Sequence, residues 1–293
     1  MSIKREAWQG RTDLPVWVGR YRNSHNLPHW HYECELFYVE KGSLEVFCER
    51  QTYLIQEGES FFVDSRQVHC MHAATKDTTV AMIVFESGVI GYFARGCTLA
   101  CPLLGDRYDV YGLFEKLRRE LEEKKKLYEG HTALLVSQLM LEVFRREETK
   151  QPESSPTAER FRSLLNEMEK KYEFFDLNAA AAYMGMNPSY FSRLFHKQTR
   201  MTFSHYLNFI KVQKAVELLQ KDASLSVTEV AIRSGFNTIR NFNRIFRAYT
   251  GYAPKELPEN FLLVNAMSDL DDDSADPTLY ECTLLESSDP AAV

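Results

Sequence analysis

The first third of the chain alternates short apolar segments with turn residues. Segments rich in β-branched and aromatic residues begin at Pro15, Glu35, Ser43, Thr52, Ser60 and Thr79. Glycine turns, among them Lys41-Gly42 and Glu57-Gly58, separate several of these segments. Short strands at this spacing are typical of a β-barrel or a β-sandwich. We therefore predict one of these two all-β folds over residues 1–107.

The apolar period changes near Tyr108. Leu113, Leu117 and Leu121 recur at four-residue spacing among charged residues, and a second apolar series follows Gly130. This spacing is helical and predicts an antiparallel helical hairpin over 108–149. Residues 150–157 contain two prolines and no large apolar side chain, so they are predicted to be an interdomain linker.

An internal repeat occupies the helical segment 158–260. Phe191-Ser-Arg-Leu-Phe and Phe242-Asn-Arg-Ile-Phe are each followed by a threonine four residues on, and each is preceded by an Ala-x-x-x-Gly pattern, at 181–185 and 231–235. Alanine lets two helices approach closely, and glycine supplies the positive φ that ends the first helix. The phenylalanines form the buried stripe of the second helix. Each copy thus predicts a helix-turn-helix.

Residues 160–257 resemble the DNA-binding domain of the AraC/XylS regulator family. Residues 177–204 resemble its first motif, and residues 227–255 resemble its second, with Gly-Phe and Thr-Gly-x-x-Pro intact. Residues 203–220 resemble the long helix that holds the two reading helices about one DNA turn apart. Two positions depart from the pattern, because Arg200 stands where glycine is usual and Asn241 where an aromatic residue is usual.

The resemblance implies which side chains face DNA. Arginine can bond guanine, asparagine can bond adenine and isoleucine can touch a thymine methyl group, whereas flanking cations contact phosphates. The implied base-reading residues are Ser189, Ser192, Arg193, Ile239, Asn243 and Arg244. The implied phosphate-contacting residues are Lys197, Arg240 and Arg247. For each of them, a solvated surface residue is the alternative.

The charge is unevenly distributed along the chain. The net charge of −6 argues at first against nucleic acid. Residues 157–260, however, carry 15 Lys and Arg against 10 Asp and Glu, whereas residues 261–293 carry 8 acidic residues and no basic one. The basic segment coincides with the repeat, which favours DNA binding. The acidic tail, 266–293, is predicted to be disordered.

A second motif lies in the predicted all-β region. His29-x-His31-x-x-x-Glu35, followed by Gly42, has the spacing of the first cupin motif, and Gly58 with His69 resembles the second. The second motif is incomplete, because positions 64, 66 and 73 hold Asp, Arg and Ala where Pro, Gly and Asn are usual. The first three polar residues share parity, so on a continuous strand they face the same way.

This cluster has two interpretations. In AraC-type regulators the barrel usually serves as an effector pocket, and the resemblance implies a pocket for a polyol or sugar acid, lined by Trp17, His29, His31, Glu35, Phe37 and His69. Alternatively, His29, His31, Glu35 and His69 bind a divalent metal that supports an enzymatic reaction. We favour the sensor and expect no metal, no cofactor and no catalytic residue. The reason is that a regulator has to keep its ligand bound and does not have to convert it into a product.

The expected protein is an α+β regulator of two domains, a cupin-like barrel with a helical hairpin and an all-α tandem helix-turn-helix. Its expected partners are double-stranded DNA, a small-molecule effector, RNA polymerase and a second copy, since the hairpin resembles the family's dimerisation element. Packing of the hairpin on its own barrel is the alternative to dimerisation, and a constitutive DNA-binding dimer is the alternative to sensing. The effector, the operator and the choice of activation or repression stay open.

The expected location is the cytoplasm. No apolar run is long enough to cross a bilayer, and the first residues lack the apolar core of a signal peptide. The six cysteines are scattered, as in a reducing compartment.

Overall fold

A computed structural model describes residues 14–94, 96–152, 155–222, 224–258, 261 and 283–287. The described residues form two compact units, one containing residues 14–152 and 283–287 and the other containing residues 155–258 and 261. The first unit is rich in strands and carries a helical hairpin, and the second is helical. The predicted α+β fold is therefore confirmed.

In the first unit, nine of the described strands precede the helical hairpin and two follow it. Its strands are β1 (Val16–Arg22), β2 (Glu33–Lys41), β3 (Ser43–Cys48), β4 (Gln51–Gln56), β5 (Ser60–Val63), β6 (His69–Ala73), β7 (Thr79–Glu86), β8 (Thr98–Leu99), β9 (Leu103–Gly105), β10 (Thr149–Lys150) and β11 (Thr283–Ser287). Its α-helices are α1 (Val110–Glu123) and α2 (Tyr128–Arg146). The pattern missed β6 because its two histidines obscure the apolar alternation, and it missed β8 and β9 because they are only two and three residues long.

Two antiparallel sheets enclose the interior of the barrel. The larger has the strand order β11-β1-β7-β2-β5-β9, and the smaller has the order β4-β3-β6. Trp17, Phe37 and Phe61 of the larger sheet share one apolar cluster with Val46 and Met71 of the smaller sheet. This cluster fills the space between two sheets that face each other.

The hairpin covers the outer face of the larger sheet. Leu36 and Phe85 belong to the same buried cluster as Phe114, Leu117 and Met140 of the two helices. The middle of β7 is therefore buried on both faces, which explains why its sequence is a continuous apolar run rather than an alternating one.

The segment predicted as a linker is partly ordered at both ends. Thr149–Lys150 pairs with Thr98–Leu99, and helix α3 (Pro156–Lys171) begins after the N-cap Ser155. Residues 151–155 thus connect the last strand of the hairpin region to the first helix of the second unit. Proline at the first helical position is compatible with this helix because its N–H would be unbonded there anyway.

Disorder of the acidic tail is contradicted for Thr283–Ser287. These five residues form β11 and pair antiparallel with β1. The strand is accommodated because Glu286 forms ion pairs with Arg20 and Arg118, so its charge has partners. The other residues of the predicted tail, 266–282 and 288–293, lie outside the described residues.

The second unit contains the predicted repeat. Its remaining helices are α4 (Leu177–Met184), α5 (Pro188–Thr199), α6 (Phe203–Lys221), α7 (Val227–Arg233) and α8 (Ile239–Thr250). Gly185 and Gly235 have φ angles of 69° and 77°. The residue after each glycine donates its N–H to the carbonyl of Ala181 or Ala231, at 2.9 Å in both copies. This is the left-handed helix ending that the Ala-x-x-x-Gly pattern predicts.

Candidate nucleic-acid interface and sensor centre

The second helix of each repeat has a defined beginning. Asn187 caps α5, with its side-chain oxygen accepting the N–H of Tyr190 at 2.9 Å. Thr238 caps α8 in the same way, accepting the N–H of Asn241 at 3.2 Å. Such caps satisfy backbone donors that a helix leaves unbonded at its start. They therefore fix where the first exposed turn of each reading helix begins.

The two reading helices bury their phenylalanines and expose the opposite face. Phe191, Phe195, Phe242 and Phe246 are all fully buried. Of the nine implied DNA-contacting residues only Ser192 is half-buried, and the exposed ones are Ser189, Arg193, Lys197, Ile239, Arg240, Asn243, Arg244 and Arg247. The structure thus leaves these side chains accessible on α5 and α8, while their contacts with DNA stay a prediction.

The departure at position 241 has a structural role that the motif did not reveal. The guanidinium of Arg244 donates from Nη2 to Oδ1 of Asn241 at 3.1 Å, one helical turn earlier. Both side chains are exposed. The asparagine therefore orients an implied base-reading arginine. The i, i+3 spacing is the only sequence signal for this contact.

The first reading helix also lines a surface concavity of about 440 Å³. Its walls are Leu177, Pro188, Ser189, Ser192 and Arg193. Three of these residues are implied base readers, and Leu177 begins the preceding helix. The concavity therefore coincides with the proposed reading surface of the first repeat.

The barrel brings together the four residues of the cupin pattern, here called the His/Glu centre: His29, His31, Glu35 and His69. Their ligand atoms all lie within 4.8 Å of one another. Glu35 is fully buried, His69 is 1% exposed and His31 is 8% exposed, whereas His29 is half-buried. Only Glu35 of the first motif lies on β2, whereas His29 and His31 lie in the segment before it, so the three residues do not share one continuous strand as the spacing predicted. The backbone bridge between positions 29 and 69 holds His69, at the start of β6, beside them.

Each histidine of the centre is oriented by the backbone two residues before or after it. The Nδ1 atoms contact the carbonyl oxygens of Leu27, Glu33 and Gln67 at 2.8, 3.1 and 2.9 Å. A carbonyl oxygen can only accept, so each Nδ1 carries a proton. The Nε2 atoms of His31 and His69 are then the atoms that face Glu35. None of the sequence motifs predicts these contacts with backbone carbonyls.

The carboxylate of Glu35 lies between two of these rings. Its Oε1 is 2.9 Å from Nε2 of His31, and its Oε2 is 3.3 Å from Nε2 of His69. Burial alone would raise the pKa of Glu35, but the charges and hydrogen bonds of the two histidines outweigh burial and hold that pKa well below its ordinary value. Burial, followed by the charge of His29, lowers the pKa of His69. The centre therefore combines a carboxylate with an imidazole that favours its neutral form.

The other two predicted effector residues lie on the same interior face. Trp17 pairs across strands with Val84, and Val84 pairs with Glu35. Directly opposed residues of antiparallel strands point to one side of a sheet. Phe37 is two residues beyond Glu35 on β2 and is fully buried. Among the described residues, Nε1 of Trp17 is a buried donor that has no hydrogen-bond acceptor.

In the described part of the chain, no helix combines the length and the apolarity that crossing a bilayer requires.

Comparisons with known proteins match both halves of the chain. The family model of a helix-turn-helix domain matches residues 180–260, and that of a cupin domain matches residues 22–85. The HTH-type transcriptional activator RhaR of Yersinia pestis is 22% identical over 264 residues, which cover 85% of this chain and 90% of the relative. The HTH-type transcriptional activator RhaS of Escherichia coli is 25% identical over 248 residues, covering 79% and 87%.

Solved structures show a similar coverage. The crystal structure of ToxT from Vibrio cholerae superimposes with a TM-score of 0.46 at 12% identity, over 82% of this chain and 96% of that one. The order of the two matched domains, cupin and then helix-turn-helix, agrees with the elements seen here. The chain therefore combines a cupin domain with a tandem helix-turn-helix domain of the AraC type, and it is homologous to the RhaR and RhaS activators of the AraC family.

Proposed function

We propose that this chain regulates transcription as a dimer that reads DNA with α5 and α8 and responds to a small molecule held in the cupin barrel. The observation that carries the proposal is the duplicated reading helix, buried on its phenylalanine face and exposed on its polar and basic face. Exposed cations on such a face neutralise phosphates and release counterions. The names of the relatives, which are transcriptional activators, support activation as the output. Contact with RNA polymerase is part of this proposal.

The DNA-binding part of the proposal predicts a strong dependence on salt. The full chain would first be used to select duplexes from a random pool, and its affinity for the selected duplex would then be measured at increasing salt. Several Lys and Arg contacts to phosphates give a steep fall of affinity. A flat salt response, or no enrichment of any sequence, would contradict DNA reading by these helices.

A second function, binding of a divalent metal ion, is favoured by the geometry of the His/Glu centre. Because Nδ1 of His69 donates to the carbonyl of Gln67, a neutral His69 presents the lone pair of Nε2 to the carboxylate oxygen 3.3 Å away. Two lone pairs at that distance repel unless a proton or a cation lies between them. A proton there is opposed by the burial of His69 and favoured by the charge of Glu35. A metal cation would satisfy the same contact and would also use the neighbouring His29 and His31, and we propose the cation.

The donor set fits this cation. Imidazole nitrogens and a carboxylate suit zinc, iron, manganese or nickel, and metal-binding histidines usually donate their other N–H to a carbonyl or a carboxylate. His29, His31, Glu35 and His69 would hold the ion, and the ion would supply a positive charge that attracts an anionic or hydroxyl-bearing effector. The buried N–H of Trp17 would add a hydrogen bond to such an effector. We propose binding without enzymatic turnover, as in a regulator.

Metal analysis of the purified full chain tests this second function. The wild type should hold close to one equivalent of metal after loading with zinc and desalting, and Glu35→Gln and His69→Gln should lose most of it. His72→Gln is the matched control, because His72 lies on the same strand but pairs with Glu45 outside the centre. Equal metal content in all four proteins would remove the centre as the binding site. A thermal-shift screen of sugars and sugar acids, with and without zinc, then addresses the effector.

The dimer is supported by a row of exposed leucines on the hairpin. Leu127 precedes α2, and Leu134 and Leu141 follow at seven-residue spacing, with exposed fractions of 77%, 69% and 41%. A seven-residue apolar repeat is the spacing by which helices pair. Leu134→Lys should shift the full chain toward the monomer in sedimentation velocity. Glu142→Lys, a charge change on the same exposed helix, should leave the mass unchanged.

A further inference from the structure

The last strand of the chain returns to the sensor unit after the DNA-binding helices. On β1, Gly19 lies opposite Ser287 and Arg22 lies opposite Thr283 of β11. The preceding described residue is Phe261, so residues 262–282 join the second unit to this strand. The chain therefore connects the two units twice, once before α3 and once after α8.

The surface that receives β11 is a sheet edge. β1 lies between β7 and β11, so without β11 its outer N–H and C=O groups would have no strand partner. An exposed edge of this kind binds an extended segment through main-chain hydrogen bonds. The chain's own C-terminal segment occupies it here.

Two arginines make this edge selective for an acidic segment. Glu286 accepts a hydrogen bond from Nη1 of Arg20 and forms an ion pair with Nε of Arg118, the latter at 3.1 Å. Arg20 is already held in place by Glu40 and Glu115, each at 2.8 Å. A glutamate at this position of the incoming strand thus completes a charge network that spans β1, α1 and β11.

The hold of β11 on the sheet is limited. None of its five side chains is fully buried, and Leu285 is 40% exposed. The pairing shifts register between Arg20 and Tyr21, so the ladder is interrupted. Segments with few buried apolar contacts open at a small fraction of the global stability. Docking of β11 can therefore be reversed while the rest of the barrel stays folded.

The receiving strand also forms a wall of the sensor. Trp17 of β1 stands one strand away from Glu35, across Val84 of β7. A ligand that repositions the side chains of this row acts on the strand that holds β11. The edge is thus placed between the His/Glu centre and the segment that follows the DNA-binding helices.

We propose that β11 is a reversible strap, which, when docked on β1, restrains the DNA-binding unit and lowers its affinity for DNA. A unit tied at both ends has fewer arrangements available than a unit tied at one end, so the arrangement required on DNA is reached less often. Release of the strap removes one of the two ties. The proposal rests on the proposed DNA-binding function of α5 and α8.

A disulfide across the strand pair tests the strap in the full chain. Arg22→Cys and Thr283→Cys place two thiols at directly opposed positions, in a background where Cys97, Cys101 and Cys282 are serine. Oxidation should give a bond within one chain, seen as a mobility change without a dimer band. Arg22→Cys with Leu285→Cys is the matched control, because position 285 is skipped in the register and has no opposed partner. Equal cross-linking of both pairs, or none, would overturn docking.

The oxidised and reduced forms are then compared on a duplex selected from a random pool. Locking should weaken DNA binding about fivefold or more, the usual lower range of coupling between sites, and reduction should restore it. Identical affinity of the two forms would overturn the regulatory role. If the disulfide forms but neither form binds any duplex, the proposed DNA-binding function fails as well.

A charge reversal provides an independent arm. Glu286→Lys should release the strap by placing a third cation beside Arg20 and Arg118, and should raise the DNA affinity of the full chain. Asp276→Lys makes the same change of charge outside β11. An equal gain in both variants would mean that tail charge alone acts on DNA, and it would overturn the strap.

Discussion

The two helix-turn-helix repeats have the same local backbone bonds but differ in their packing and in the charges on their exposed faces. In the first, Oγ1 of Thr199 donates to the carbonyl of Phe195 at 2.8 Å and accepts the N–H of Met201. In the second, Thr250 makes the same pair of bonds with Phe246 and Tyr252. The matching threonines thus end both reading helices by the same local bonds.

The packing behind the reading helices is different. Phe195 contacts the rings of Phe161, Phe191, Phe203 and Tyr206, at centroid distances between 5.4 and 5.8 Å. Among the described residues, Phe246 has one such ring partner, Phe242, at 5.3 Å. The first repeat is therefore built into the helices on both sides of it, α3 and α6, by a shared aromatic cluster.

The first repeat has more aromatic packing, but the second has more arginines on its exposed face. The reading face of α8 carries Arg240, Arg244 and Arg247, whereas that of α5 carries Arg193 and Lys197 beside two serines. Guanidinium groups bind phosphates and guanine with two directed bonds, which an ammonium group cannot do. We infer that the first repeat contributes more to folding and that the second contributes more to DNA affinity.

The largest expected effect of this difference is on stability. Phe195→Ala should cost about 5 kcal/mol and Phe246→Ala about 3 kcal/mol, because both leave a cavity but Phe195 also loses more aromatic contacts. The measurement is the urea midpoint of the full chain, followed by circular dichroism. Equal losses would show that the ring cluster adds nothing to burial.

The glycine turns provide the next test. A Cβ at Gly235 would lie 3.2 Å from the Cα of Glu173, whereas at Gly185 it would meet only the end of the Arg160 side chain, at 3.3 Å. Both positions have positive φ, so alanine is strained at each. Gly235→Ala should cost about 3 kcal/mol and Gly185→Ala about 1 kcal/mol, since the first adds a tight contact with the backbone of Glu173 to the strain. A larger loss at Gly185 in thermal unfolding would reverse the comparison.

The third test concerns base reading. Arg244→Ala should cost about 2 kcal/mol of affinity for the selected duplex and relax the preference at one base pair, if Arg244 bonds guanine. Arg193→Ala should have a smaller effect, since α5 presents fewer directed cations. Lys221→Ala, an exposed cation at the end of α6, is the control. The comparison of repeats is wrong if Arg193→Ala costs more than Arg244→Ala in fluorescence anisotropy.

Much of this fold could be read from local patterns. The Ala-x-x-x-Gly turns and the phenylalanine stripe predicted both repeats, because helix endings and buried faces depend on residues a few positions apart. The partnership of His69 with His29, His31 and Glu35 was suggested by the cupin resemblance, but its geometry depends on pairing between β6 and the segment before β2.

What the patterns missed depends on contacts distant along the chain. The composition of the tail predicted disorder, yet Thr283–Ser287 pairs with a strand more than 250 residues earlier, where Arg20 lies opposite Glu286. The composition of a segment cannot predict such strand pairing, because the residues that pair with the charge of Glu286 are remote in sequence. The carbonyl contacts of the histidines and the bond between Asn241 and Arg244 were missed for a related reason. The type of a residue does not determine the direction in which its side chain points.

The smallest expected effect concerns the end of the first reading helix. Arg200 and Gly251 occupy equivalent positions, with φ angles of 59° and 76°, and each donates its N–H to the carbonyl four residues earlier. A left-handed conformation costs an arginine roughly 1 kcal/mol more than a glycine, and the greater freedom of glycine in the unfolded chain offsets about half of that difference. Arg200→Gly should therefore stabilise the full chain by about 0.5 kcal/mol, and Gly251→Ala should destabilise it by about 1 kcal/mol, both measured as shifts of the urea midpoint. Both reading helices would then end in a glycine. If Arg200→Gly lowers DNA affinity at low salt, the loss would come from the missing positive charge, because the turn keeps its conformation. A loss of stability in Arg200→Gly would show that the Arg200 side chain stabilises this turn by more than its backbone strain costs.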